Sequence, residues 1–331
     1  MKWGAAIGTL VGIALAAWLL ASYGLGTVLG LLRQAGWGIL PVVLFHFVQI
    51  LFSALAWRAV AGPMRPQPGL REYVALRWIR EGVNNLLPVA QVGGGVVAVR
   101  LLRRRGVPLT AAVAGSVGDL TMEVLTQVLF TLIGLALLVL LVGESGVSGY
   151  LLAGAGIAAL AAPGIVAAQW FGLAGWIERG IMRLSARFGR AAPGEPPRAA
   201  GSLDDALRAL YCAPSRMAWA CFHHSLSWLL GGIEVCLALH VLGTDVGFAE
   251  GLVIEALGQA VKAAGFAVPG AIGVAEGGYV VVCHLFGLAP ELAIALGLVK
   301  RLREVVLGVP ALIAWQMLEA RPAPSAGRTA A

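Results

Sequence analysis

The sequence predicts an all-α polytopic integral membrane protein, and three observations carry that prediction. Apolar residues make up 59% of the 331 positions and charged residues only 12%, against roughly a quarter charged in a soluble domain. The mean hydropathy is +0.85, and stretches of the roughly 20 apolar residues that span a bilayer recur from one end of the chain to the other. Two interrupted segments around Pro88 and Pro269 share one layout. Water-soluble, secreted, fibrous and disordered classes are thereby excluded. A β-barrel is excluded too, because the apolar runs are continuous rather than alternating.

The spans fall at about 4–23, 37–61, 110–142, 149–170, 215–242 and 290–317. They make 1–318 a single transmembrane domain and leave 319–331 as a disordered cytoplasmic tail. Lys2 ahead of the first apolar run resembles a signal peptide. The length of that run and the lack of a clean small-residue cleavage site favour an uncleaved anchor. Gly4, Gly8, Gly12 and Ala16 form a small-residue stripe along it, suited to close packing within the chain or to dimerisation. Cys212, Cys221, Cys236 and Cys283 show no CxxC pairing and read as small packing residues.

The net charge of +7 follows the positive-inside rule rather than nucleic-acid binding. Segment 63–108 carries eight Lys and Arg and 171–214 six, whereas 143–148 has none, 24–36 only Arg33 and 243–289 only Lys262. That asymmetry places both termini and the two basic segments in the cytoplasm. Within 171–213, Leu173, Trp176, Ile177, Ile181, Leu184 and Phe188 recur at helical spacing opposite Arg179, Arg183, Arg187 and Arg190. This is a basic amphipathic helix for an anionic leaflet, followed by a Pro-rich loop at 192–198.

A shift of 181 positions aligns 74–128 with 255–309 without gaps, at about one identity in five. Pro88 falls on Pro269, Gly106 on Gly287 and Glu123 on Glu304. Chance similarity between apolar helices is the rival explanation. The coincidence of a Pro, a Gly and a membrane Glu favours a repeat, with units at about 74–142 and 255–317. In each unit a short helix runs to a Pro, a Gly-rich break follows (Gly93, Gly94, Gly95; Gly270, Gly273, Gly277, Gly278), and then come a second short helix and a long one. Freed backbone groups at membrane depth must be buried in protein or line a wet cavity. By the charge topology 110–142 runs outward and 290–317 inward, so the expectation is an inverted repeat of broken, re-entrant helix pairs. That is a transporter-like arrangement with a site near the midplane; kinked packing hairpins are the alternative.

Asp119 and Glu123 stand four apart in span 110–142, and span 290–317 holds Lys300, Arg301, Arg303 and Glu304. Central charges cost about 2.5–3.5 kcal/mol each on an insertion scale, so six alone would cost on the order of 15–20 kcal/mol. They must meet water, an interface or one another. Their formal sum is zero, and the repeat sets Asp119 opposite Lys300, so the expectation is one polar centre where the two faces meet. It serves transport or is a structural salt-bridge cluster. Arg80, Glu81, Asn84, Asn85 and Arg100 flank the first break, with Arg77 nearby and Glu276, Lys262 and Glu255 across the membrane. Guanidinium groups suit phosphate headgroups, although positive-inside bias also accounts for basic residues here.

Other chemistry finds no support. Gly93–Ala98 fits a loose G-x-G-x-x-A pattern with no preceding strand, so no dinucleotide site is expected. The histidines lack metal-ligand spacing, and no nucleophile arrangement, metal site or cofactor stands out.

Arg80-Glu81-Gly82-Val83-Asn84-Asn85-Leu86-Leu87-Pro88, the Gly93–Gly95 run, and Gly106 followed by Asp119 and Glu123 resemble the lysylphosphatidylglycerol synthase transmembrane family, whose members are called flippase-like. Pro269-Gly270 through Glu276 to Arg301 and Glu304 resembles its C-terminal motif region, and the likeness covers about 5–318. Residues 80–127 are similar to the hopanoid-associated HpnL-like branch. The resemblance implies a multi-pass protein of a bacterial inner membrane that moves membrane lipids between leaflets: anionic or aminoacylated phospholipids, or hopanoids. About a dozen residues follow the last span, so no synthase domain, and no enzyme, is expected. The alternative is a non-transporting scaffold for lipid-biosynthetic enzymes.

Overall fold

A computed structural model describes residues 25–62, 66–87, 93–142, 203–265, 268 and 271–320. The expected spans at 4–23 and 149–170, the amphipathic helix and loop of 171–201, and Pro88, Pro269 and Gly270 lie outside these residues. The described chain is helical: α1 (Leu25–Ala35), a single 3₁₀ turn (Gly36–Gly38), α2 (Ile39–Val60), α3 (Leu70–Leu86), α4 (Gly93–Arg104), α5 (Leu109–Val142), α6 (Leu203–Tyr211), α7 (Pro214–Val241), α8 (Phe248–Ala264), α9 (Val274–His284) and α10 (Pro290–Ala320). Three stretches, Gly26–Val60, Leu109–Val142 and Pro214–Val241, are long and apolar enough to cross a membrane. Four expected spans, 37–61, 110–142, 215–242 and 290–317, therefore coincide with helices to within a few residues.

The boundaries recur at the spacing read from the sequence. Helices α4 and α9 start at 93 and 274, α5 and α10 at 109 and 290, and α2 and α7 end at 60 and 241. The aligned glycines do the same work. Gly106 and Gly287 both adopt positive φ, +83° and +70°, a region that a Cβ makes costly. After each, an amide reaches back five residues: Val107 N–H donates to Leu102 O at 3.3 Å and Leu288 N–H to Cys283 O at 3.1 Å. These are the six-to-one bonds that close a helix C-terminus. At the other end, α3 and α8 begin alike. Gly69 N–H donates to the Glu72 carboxylate at 2.7 Å and Gly247 N–H to Glu250 at 2.9 Å, each satisfying an otherwise unpaired amide beside a helix start.

Packing is reciprocal. Helix α2 lies along α7, α3 crosses α10, and α8 crosses α5, so the short helix that opens one unit rests on the long helix of the other. Small residues permit both crossings: Gly82 sits against Gly308 and Ala311, and Gly134 against Ala256, as close helix packing in lipid requires. Leu, Val, Ile and Ala from α2, α7, α8, α9 and α10 fill the largest core. One expectation is corrected. Gly93–Gly95 and Gly277–Gly278 were expected as breaks, yet the first three open α4 and the other two lie inside α9. Glycine there serves close approach: a Cβ on Gly94 would lie 2.2 Å from the Arg80 carbonyl oxygen.

Candidate functional site

Helical spacing sets the polar face of each element. On α3, Arg77, Arg80, Glu81 and Asn84 fall at i, i+3, i+4 and i+7, and on α5 Asp119, Glu123 and Gln127 fall at successive i+4 steps. The two faces meet. Arg80 donates to Asp119 at 2.6 Å and to Glu123 at 2.9 Å. Arg77 clasps Glu123 with both terminal nitrogens, one of them at 2.9 Å. From α7, His224 Nε2 stands 3.0 Å from the other Asp119 oxygen. The Arg80 guanidinium also lies over the Trp57 ring, 5.7 Å from its centroid, a cation–π contact. Asp119 is fully buried, so its carboxylate oxygens meet protein donors rather than water.

A second cluster gathers around α10. Lys300 pairs with Glu255 of α8, and Arg303 donates to Glu234 of α7. Lys262 of α8 reaches Glu304 at 2.6 Å, and Arg301 joins Glu276 and Glu304 at 2.8 Å each. Glu234 also accepts from Gln49. The polar centre thus differs from the expected one. Asp119 and Lys300 do not pair with each other: Asp119 takes its cations from α3, and Lys300 takes its carboxylate from α8. The crossings of α3 on α10 and α8 on α5 place short helices, not the opposite long helix, where counter-charges are needed.

His46 joins the clusters. Its Nε2 stands 2.6 Å from Glu81 and its Nδ1 3.0 Å from Glu234. A neutral imidazole can donate through one nitrogen only, whereas an imidazolium donates through both. Charge agrees: Arg77, Arg80, Lys262, Lys300, Arg301 and Arg303 number six, against the seven carboxylates Glu81, Asp119, Glu123, Glu234, Glu255, Glu276 and Glu304. Two imidazoles stand beside these carboxylates, His46 between Glu81 and Glu234 and His224 beside Asp119. In ¹⁵N-histidine NMR of the protein in bilayers near pH 7, an imidazolium signal with two protonated nitrogens that disappears in His46→Gln is expected. A neutral His46 in that spectrum would move the proton to a carboxyl.

Between the clusters lies a cavity of about 200 Å³. Its wall takes side chains from α2, α3, α5, α7, α8 and α10, among them His46, Arg80, Glu123, Gln127, Trp228 and Arg303. The proposed headgroup residues Arg80, Glu81, Asn84 and Asn85 line it. Asn84 further accepts the Gly94 amide at 2.8 Å, tying α3 to α4. Glu276, Lys300, Arg301 and Glu304 face a smaller recess beside α9, which Arg303 shares with the main cavity. Arg100 is elsewhere. On α4, with its side chain 63% exposed, it pairs with Glu319 at 2.9 Å. Asp119 stands behind Arg80 rather than on the cavity wall. Sequence reasoning did not select His46, Gln49, His224, Glu234 or the glutamines. Glu234 carried a signal, a lone carboxylate in the apolar span 215–242.

Among the described residues no cluster of three or more His, Cys, Asp or Glu is arranged to hold a metal ion. The family described as Lysylphosphatidylglycerol synthase TM region matches residues 5–311. No curated protein and no solved structure matches the chain.

Proposed function

Because the chain belongs to the Lysylphosphatidylglycerol synthase TM region family, we propose that this multi-pass membrane protein is a flippase-like lipid translocase. The lipid headgroup enters the central cavity while its acyl chains stay among the exposed apolar side chains outside. One observation carries the reading: a polar cavity of about 200 Å³, walled by ion pairs and amides, lies inside an otherwise apolar helix assembly. Intramembrane ionisable groups are rare and mark substrate pathways or ion relays, and a buried ion pair is weak evidence of a purely stabilising role.

The units around α3–α5 and α8–α10 are read as inverted repeats, supported by their matched boundaries and reciprocal crossings. Alternating access then amounts to one unit rocking on the other about the cavity. The charge asymmetry of the loops supports cytoplasmic termini in a bacterial inner membrane. Binding and passage, not catalysis, is the role proposed. Candidate lipids are phosphatidylglycerol, its aminoacylated form and, from the wording of residues 80–127, a hopanoid.

The test is leaflet-resolved movement of these labelled lipids in proteoliposomes holding the full chain. Protein-dependent movement is expected, reduced at least tenfold by Glu123→Gln, which keeps the side chain's size but removes the charge that Arg77 and Arg80 share. Absence of movement for all three lipids would reject translocation of them. Equal rates in the variant would remove the α3–α5 ion pairs from the pathway.

A further inference from the structure

We propose that the cavity recognises a hydroxyl-rich headgroup, a sugar or glycerol unit, through amides from α3, α5 and α8. This rests on the headgroup reading of the same cavity and specifies its chemistry. The cations on the wall are already engaged: Arg77 and Arg80 by Asp119 and Glu123, Arg303 by Glu234, Lys262 by Glu304. Each of these cations already has its counter-carboxylate, which leaves this group of charges without a net positive charge to draw a phosphate. Four amides are engaged at one end only. Asn84 Oδ1 accepts from the Gly94 amide and Asn85 Oδ1 from the Lys262 ammonium. Gln127 Nε2 donates to the backbone carbonyl of Gln259 and Gln259 Nε2 to the Glu255 carboxylate. Each partner is a pure donor or, as carbonyl or carboxylate, a pure acceptor, which orients the amides of Asn84 and Gln259 at 2.8 Å and favours the same sense for Gln127 and Asn85 at 3.4 and 3.5 Å.

What remains for a ligand is the NH₂ of two asparagines and the carbonyl oxygen of two glutamines, all four residues lining one cavity. Phosphate oxygens only accept and an ammonium only donates. A hydroxyl does both. The Trp228 ring, its indole N–H held by Thr126 at 3.2 Å, adds an apolar wall for the C–H face of such a unit. The volume corresponds to about seven waters' share of liquid, the scale of one hexose or one phosphoglycerol rather than a fused-ring lipid body.

The test is calorimetric titration of the full chain in nanodiscs with four dioctanoyl lipids: phosphatidylglycerol, monoglucosyl-diacylglycerol, and two whose headgroups accept but cannot donate, phosphatidylmethanol and phosphatidylcholine. The first two are expected to bind at least tenfold tighter than the last two. Whichever of the first two binds tighter identifies phosphoglycerol or sugar as the natural source. Gln127→Met on α5 and Asn85→Leu on α3 are each expected to erase that preference, and two helices guard against one variant failing to fold. Equal affinity for all four lipids, or an undiminished preference in both variants, overturns the proposal. Hydroxyl preference without leaflet-to-leaflet movement would sink translocation alone. Movement indifferent to hydroxyls would sink the polyol site alone.

Discussion

Glu234→Leu is expected to destabilise the folded protein by about 3–5 kcal/mol, the range for removing one member of a buried ion pair. Glu234 accepts from Arg303, His46 and Gln49 together, with its side chain 1% exposed. Its loss leaves Arg303 facing only Glu304 at 3.9 Å and leaves His46 with Glu81 alone. The neutral Glu234→Gln keeps an acceptor oxygen in place and should lose less. Thermal unfolding of purified protein in detergent measures both. A transition unchanged in Glu234→Leu would show that Arg303 finds another carboxylate, and that the α7–α10 link does not depend on this residue.

The second large effect belongs to adjacent glycines that look alike in sequence. Gly94→Ala is expected to lower stability by about 1–3 kcal/mol, the usual cost of overpacking. The added Cβ would meet the Arg80 carbonyl oxygen at 2.2 Å and Asn84 Oδ1 at 2.8 Å. Backbone cannot yield as a side-chain tip can, so α4 must move off α3 and give up the hydrogen bond from the Gly94 amide to Asn84. Gly95→Ala is the control. Nothing lies within 4 Å of its Cβ, and Ala in a helix is favoured over Gly by about 0.5–1 kcal/mol. Equal behaviour of the two variants in the same thermal assay would show that α3 and α4 are not held at this contact.

That pair also marks how far the sequence can be read. Continuous apolar length is a one-dimensional property, so helices α2, α5, α7 and α10 were legible nearly to the residue. The match of Gly106 with Gly287 was legible as a residue type, while the left-handed turn that requires glycine at both came only with the backbone. Partner choice was not legible. Asp119 aligned with Lys300 suggests that they meet, but pairing depends on which helices cross, and the crossings bring Arg80 and Glu255 instead. His46 and His224 gave no spacing signal because their carboxylate partners lie 35 to 188 positions away. Arg100 misled for the opposite reason. It stands near the break in sequence, yet its face of α4 turns outward, to Glu319.

The distribution of these ion pairs along the chain sets an order of synthesis. Asp119 and Glu123 emerge after Arg77 and Arg80, and Lys300 and Arg303 emerge after Glu255 and Glu234. Each long charged helix therefore enters the bilayer when its counter-charges are already there to receive it. Glu255, Glu276 and Glu234 all precede their Lys and Arg partners, and of these Glu234 also has partners made earlier. His46 and Gln49, laid down nearly two hundred residues earlier, hold it until α10 arrives. At Glu234, then, the contacts between α2 and α7 involve only chain made before α10, and the α10 cation joins a carboxylate that already has neighbours.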